Sequence, residues 1–186
     1  ELLKYHLDYE SKIGAGHNQD ILIVSSNSVE LEKGKEFLNS LDGMNTNEGK
    51  ILIMLRENIG YSFGAFNAGF QKYQNEYDFF LFQEDDLFTQ VPNYLGKAMN
   101  IWDETENWEF IPFIASTKVG RSHRGALNIR KNEIVSCHGG HGMSSAKVLK
   151  HVTKEFGSLA YNSKESQEYI DHLRDGEIMF TYTIEL

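Results

Sequence analysis

Cysteine is nearly absent from this chain. Cys137 is the single one among 186 residues, which excludes an internal disulfide and a cysteine metal cluster. Proline is scarce as well, with two residues beside 16 glycines, so neither a collagen-like repeat nor a low-complexity linker fits. Positive charge is the minority: 18 Lys and Arg face 27 Asp and Glu, for a net charge of -9. That balance disfavours a nonspecific nucleic-acid or anionic-membrane binder and leaves room for a local basic pocket. No run approaches the roughly 18 apolar residues that span a bilayer, and no signal peptide is visible. The chain opens on Glu1 rather than methionine, so it is expected to be a processed product or a fragment of something longer.

Apolar and aromatic residues, at 40% and 12%, suffice for one sizeable core, so 1–186 is expected to be one domain. The pattern alternates strand-like and helix-like stretches. Residues 2–13 read as an amphipathic helix, and Ile21–Val24 as a buried strand ending in Ser25-Ser26-Asn27-Ser28. A helix using Leu31, Phe37, Leu38 and Leu41 closes at Asp42-Gly43. Ile51–Leu55 is the next strand, Arg56–Gly60 its exit loop, and a helix follows from near Ser62. Phe63, Phe66, Phe70 and Tyr73 share one face of that helix, and Asn67 is read as lying away from them. The strand at 78–82 runs into Gln83-Glu84-Asp85-Asp86. A helix is expected from Pro92 to Trp102 and a strand over 110–115, with Pro112 at an edge or bulge. Short strands are expected around 126–130 and 133–137, then a glycine turn at 139–142 and a helix over 144–156. A further helix over 163–174 and a strand over 178–186 complete the reading. Strands joined by helical crossovers predict an α/β fold with a mainly parallel central sheet flanked by helices. Ligands of such sheets sit beyond the carboxyl ends of the strands, so Ser25–Ser28, Arg56–Gly60 and Gln83–Asp86 are expected on one rim.

Three carboxylates directly after an aromatic strand repel one another unless a cation or hydrogen bonds compensate. Oxygen ligands suit Mg²⁺ or Mn²⁺, and a solvated capping loop is the plainer alternative. Arg56 and Asn58 leave the neighbouring strand within reach of a diphosphate or a base, although Asn58 also suits a turn or cap. Neither a phosphate loop nor a dinucleotide fingerprint is present.

The run Arg56-Glu57-Asn58-Ile59-Gly60-Tyr61-Ser62-Phe63-Gly64-Ala65-Phe66-Asn67-Ala68-Gly69, followed by Tyr77–Asp86, resembles the core of a family-2-type glycosyltransferase. That family carries an N-x-G loop, an A-x-N-x-G helix and a hydrophobic strand ending in a DxD-like motif. The resemblance implies a GT-A-like fold, a nucleotide-diphosphate sugar donor, a hydroxyl acceptor such as a carbohydrate, and Mn²⁺ or Mg²⁺. It assigns Asp86 to the metal, with Glu84 at the motif's first position as a metal ligand or a contact to the donor ribose or sugar, and Asp85 between them on the substrate. Asn58 and Asn67 match the family's two asparagines, and Gly60 its loop glycine, which the resemblance places in the substrate site. Ser25 and Asn27 stand where the family usually has a nucleotide-binding Asp. The family's opening strand has no counterpart ahead of Leu2.

Cys137-His138-Gly139-Gly140-His141-Gly142-Met143-Ser144 resembles the family's sugar-lining glycine segment. Glycine permits the close backbone approach a sugar needs. Gly139, Gly140 and His141 are therefore substrate-site candidates, and His138 could reach the cation. An ordinary strand-to-helix turn capped by Ser144 is the alternative. The acceptor proton needs a base. Glu177 is the best positional match, with Asp175 as alternative. The basic stretch 118–131, with five Lys or Arg and no acid, suits donor phosphates or an anionic acceptor, and equally a solvated hairpin. The resulting expectation is a metal-dependent glycosyltransferase, inverting, of the kind used in surface polysaccharide synthesis. It would work in the cytoplasm, including the inner face of the membrane by peripheral contact, with no nucleic-acid partner. The alternatives are a non-catalytic or truncated carbohydrate- or partner-binding domain, and then a sugar nucleotidyltransferase.

Overall fold

The computed structural model describes residues 2–26, 31–85, 87, 90–104, 109–113, 115–116, 136–137 and 141–159. Within them the chain forms a small mixed α/β fold with short sheets and five helices. It divides into two compact units, one comprising Glu1–Asn58 and Asp85–Asn107, the other Ile59–Glu84 and Trp108–Leu186.

In the first unit, α1 (Leu2–Ile13) precedes β1 (Ile21–Ser26), α2 (Leu31–Leu41) and β2 (Ile51–Arg56), and α4 (Tyr94–Glu104) follows later in the chain. The α2 crossover makes β1 and β2 parallel, in register from Ile21 opposite Ile51 to Ser26 opposite Arg56. The outer edge of β2 is closed by the turn after α2. Gly43 N donates to Ile51 O at 2.8 Å, Ile51 N to Met44 O at 2.8 Å, and Ile53 N to Asp42 Oδ1 at 2.9 Å. The apolar run Ile21–Val24 reads as a strand covered on both faces, yet all six residues of β1 are half-buried. Among the described residues β1 has a strand partner on one side only.

A loop with two left-handed glycines, Gly14 (φ 66°) and Gly16 (φ 78°), turns the chain from α1 toward β1. Ala15 N and Gly16 N each donate to the Glu48 carboxylate at 2.8 Å. Leu95 N donates to Ala15 O at 3.0 Å, which ties α4 to the same loop. The buried Tyr94 hydroxyl donates to Glu10 Oε1 at 2.5 Å, and Gln19 Nε2 donates to Glu10 Oε1 at 2.9 Å. Burial first, and the neighbouring Glu10 carboxylate second, hold the Tyr94 hydroxyl well above the usual tyrosine pKa. The helix begins two residues later than Pro92 suggests. Asn93 takes a left-handed φ of 56° and its carbonyl receives Lys97 N at 3.0 Å.

The second unit contains α3 (Tyr61–Tyr73), β3 (Phe79–Phe82), β4 (Ile111–Pro112), β5 (Ala115–Ser116), β6 (Ser136–Cys137), β7 (Gly142–Ser145) and α5 (Ala146–Phe156). Here the pairing differs from the expected mainly parallel sheet. The order is β3-β7-β4, antiparallel throughout, with a separate antiparallel β5–β6 ladder. Pro112 sits on the edge strand opposite Gly142, as its missing N–H requires. The expected turn at 139–142 is in part strand. Gly142 opens β7 because a Cβ there would stand 2.7 Å from Ile111 O and nearer still to the Phe110 ring. Gly142→Ala is expected to cost about 1–3 kcal/mol through overpacking. Urea unfolding at constant m checks this, and an unchanged midpoint would contradict the close packing.

Phe63, Phe70, Phe82, Phe110, Leu149, Val152 and Leu159 form the buried core of this unit, with Phe66, Phe80 and Val148 packed against it. The aromatic stripe of α3 therefore meets β3 and α5. Phe70 and Phe80 pack edge to face at 5.0 Å, and Phe66 lies 5.1 Å from Phe82. Ser145, rather than Ser144, caps α5 and accepts from Val148 N at 3.2 Å. Ser144 is buried and donates to Glu109 O at 2.5 Å. Gly157, at φ 81°, ends the helix in the left-handed conformation that glycine favours. The strand expected at 126–130, the helix at 163–174 and the strand at 178–186 lie outside the described residues.

Candidate functional site

The parallel pair delivers two strand exits side by side. Ser25 is opposite Leu55 and Ser26 opposite Arg56, and Arg56 Nη1 donates to Ser26 Oγ at 3.3 Å. Arg56 is half-buried and Asn58 exposed. A guanidinium braced at the carboxyl end of a parallel pair can receive a planar or tetrahedral anion by paired hydrogen bonds. Sequence reasoning selected Ser25 and missed Ser26 as the contact to Arg56. The signal was the strand period, which turns alternate residues to opposite faces, but the strand's end had to be known to use it.

In the second unit, Gly60 takes φ 75° and Tyr61 φ 49°, so two successive left-handed residues open α3. Gly60 does so without steric cost, whereas a bulky residue in that region is strained. Among the described residues no side chain caps the helix, and Gly64 N closes its first turn on Gly60 O at 2.7 Å. Asn67 does not lie away from the aromatic stripe. At about 100° per residue it flanks Phe63 and Phe70, and its Oδ1 accepts from Leu159 N at 2.9 Å.

The chain leaves β3 through half-buried Gln83 and Glu84 to exposed Asp85. Asp86 lies outside the described residues. Among the described residues no group of three or more His, Cys, Asp or Glu is placed to hold a metal ion. Two of the three residues assigned to the metal, Asp86 and His138, fall outside that set.

His141 precedes β7 and is 3% exposed. Its carbonyl receives Phe113 N at 2.9 Å, and its ring stands 5.1 Å from that of Phe113. Burial lowers its pKa to about 4, so the imidazole is neutral near pH 7. Asn27, Gly139, Gly140, Asp175, Glu177 and the basic stretch 118–131 lie outside the described residues.

The described residues thus bring Ser25, Ser26 and Arg56 together in the first unit, where Asn58 and Asp85 also fall, and place Gly60, Asn67, Glu84 and His141 in the second. No family model, curated protein or solved structure matches the chain. Among the described residues no helix is long and apolar enough to cross a membrane.

Proposed function

We propose that the chain is a metal-dependent glycosyltransferase of GT-A-like fold, moving a sugar from a nucleotide diphosphate to a hydroxyl acceptor with inversion. The observation that carries this reading is the paired exit of β1 and β2, where Arg56 is braced on Ser26 at 3.3 Å. Carboxyl ends of parallel strands are where α/β folds bind nucleotides, and an arginine there suits a diphosphate. The N-x-G and A-x-N-x-G resemblance in the sequence that follows β2, with the acidic stretch after β3, supports the same assignment.

In this reading Ser25, Asn27, Arg56, Asn58 and Gly60 bind the donor, and Glu84 and Asp85 reach its sugar or ribose. Glu84 and Asp86, with His138, would hold Mn²⁺ or Mg²⁺, whose oxygen preference fits the two carboxylates. The ion supplies charge stabilisation for a departing diphosphate. Glu177, or alternatively Asp175, takes the proton from the acceptor hydroxyl. That oxygen bonds to the anomeric carbon from the face opposite the diphosphate, and the carbon–oxygen bond to the diphosphate breaks. Gly139, Gly140 and His141 line the sugar. The setting would be surface polysaccharide synthesis in the cytoplasm, including the inner face of the membrane by peripheral contact.

Calorimetric titration with UDP, GDP, CDP and dTDP, with and without Mn²⁺, tests the reading. One nucleotide is expected to bind at least about tenfold more tightly with Mn²⁺, a gain of roughly 1.4 kcal/mol. Asp86→Ala should abolish that gain while leaving the fold intact by circular dichroism. Absence of binding by any of the four to the folded chain would overturn the assignment in favour of a non-catalytic binding domain.

A further inference from the structure

Asparagine is a poor residue for a helix interior, yet Asn67 sits in the second turn of α3. Its structural partner explains the placement. The chain leaves α5 through left-handed Gly157 and drops Leu159 into the core with 0% exposure. Past the helix cap, the Leu159 N–H has no helical acceptor. A buried amide left without one is costly, and Asn67 Oδ1 supplies it at 2.9 Å. This single bond joins two segments 92 positions apart. Leu159 belongs to the same core cluster as Phe63 and Phe70, which flank Asn67 on α3. Gly60 lies seven residues upstream, about 10 Å along the helix axis. Holding α3 at Asn67 therefore fixes where its Gly60–Tyr61 opening stands within the second unit.

We infer that Asn67 is a positioning residue of the proposed donor site: its carboxamide oxygen anchors α3 to the α5 exit at Leu159, and it does not itself hold the nucleotide. The inference rests on the functional reading above and changes the role that the family resemblance implies for this asparagine. A carboxylate at the same position keeps an acceptor of the same shape and removes the amide donor. A leucine keeps the bulk and removes both.

Two measurements on Asn67→Asp and Asn67→Leu decide the matter: amide exchange of Leu159 by NMR, and Mn²⁺-dependent affinity for the nucleotide that the wild-type chain selects. Asn67→Leu is expected to speed Leu159 exchange on the order of tenfold or more and to weaken the nucleotide. Asn67→Asp should restore both. An Asp variant that protects Leu159 but loses the nucleotide would overturn the inference, because the amide nitrogen would then be the donor's contact. Unchanged Leu159 exchange or unchanged affinity in Asn67→Leu would overturn it as well. If the leucine variant does not fold, the Asp variant alone distinguishes tether from ligand. If the wild-type chain binds no nucleotide, the positioning role falls with the functional reading, while Leu159 exchange still reports separately whether the tether exists.

Discussion

Phe70→Ala is expected to destabilise the second unit by about 3–5 kcal/mol, as removal of a fully enclosed aromatic ring does elsewhere. Phe70 is 1% exposed and packs edge to face on Phe80 at 5.0 Å. It belongs to a core contributed by α3, β3, α5 and the segments around Phe110 and Leu159. Because that ring is held from several directions, collapse of one neighbour cannot fill the hole. Urea unfolding followed by far-ultraviolet circular dichroism reads the loss. A value below about 1 kcal/mol would mean that the site repacks, which the interlocked aromatic geometry argues against. Phe70→Leu should retain most of the stability, since it leaves a smaller cavity.

Stability should also depend on pH through His141. In the unfolded chain its pKa is near the usual 6.5, and in the folded chain burial lowers it to about 4. Between those values the unfolded state binds a proton that the folded state does not. Stability therefore rises with pH across this window, and falls as the pH drops from 6.5 toward 4. The full change is about 3 kcal/mol, at 1.36 kcal/mol per pH unit. Below pH 4 both states are protonated and His141 adds no further loss. Chemical denaturation at pH 7, 6, 5 and 4.5, for the wild type and His141→Leu, isolates the effect from the carboxylates common to both. The wild type should show the steeper decline. Parallel curves would mean that the imidazole is not held neutral by its burial.

Among the described residues, the helices and the longer strands were legible to within a residue or two, because their signals are local. The apolar stripe of α3, the Asp42–Gly43 stop after α2 and the edge role of Pro112 all follow from what those residues can and cannot do in their own backbone. The pairing of the second unit was not. Gly142–Ser145 has little intrinsic strand preference. It becomes a strand through contacts with Phe79–Phe82 and Ile111–Pro112, which lie far from it in sequence. The same distance hid the acceptor role of Asn67 toward Leu159 and the burial of His141. At the candidate site, Arg56 was legible from its place directly after an apolar strand, whereas its brace on Ser26 needed the register of the parallel pair. Ser145 displaced Ser144 as cap because β7 runs one step further than the glycine pattern suggests.

The chain passes from one compact unit to the other at 58–59, back at 84–85, and across again at 107–108. Each unit is consequently assembled from two separated stretches of polypeptide. No single cut releases either one whole, so a shortened gene encoding only the front or back half would carry part of each. For protein engineering the natural places to rejoin the ends are those crossing points, and the genetic unit that must be kept together is the full succession of segments rather than any one of them.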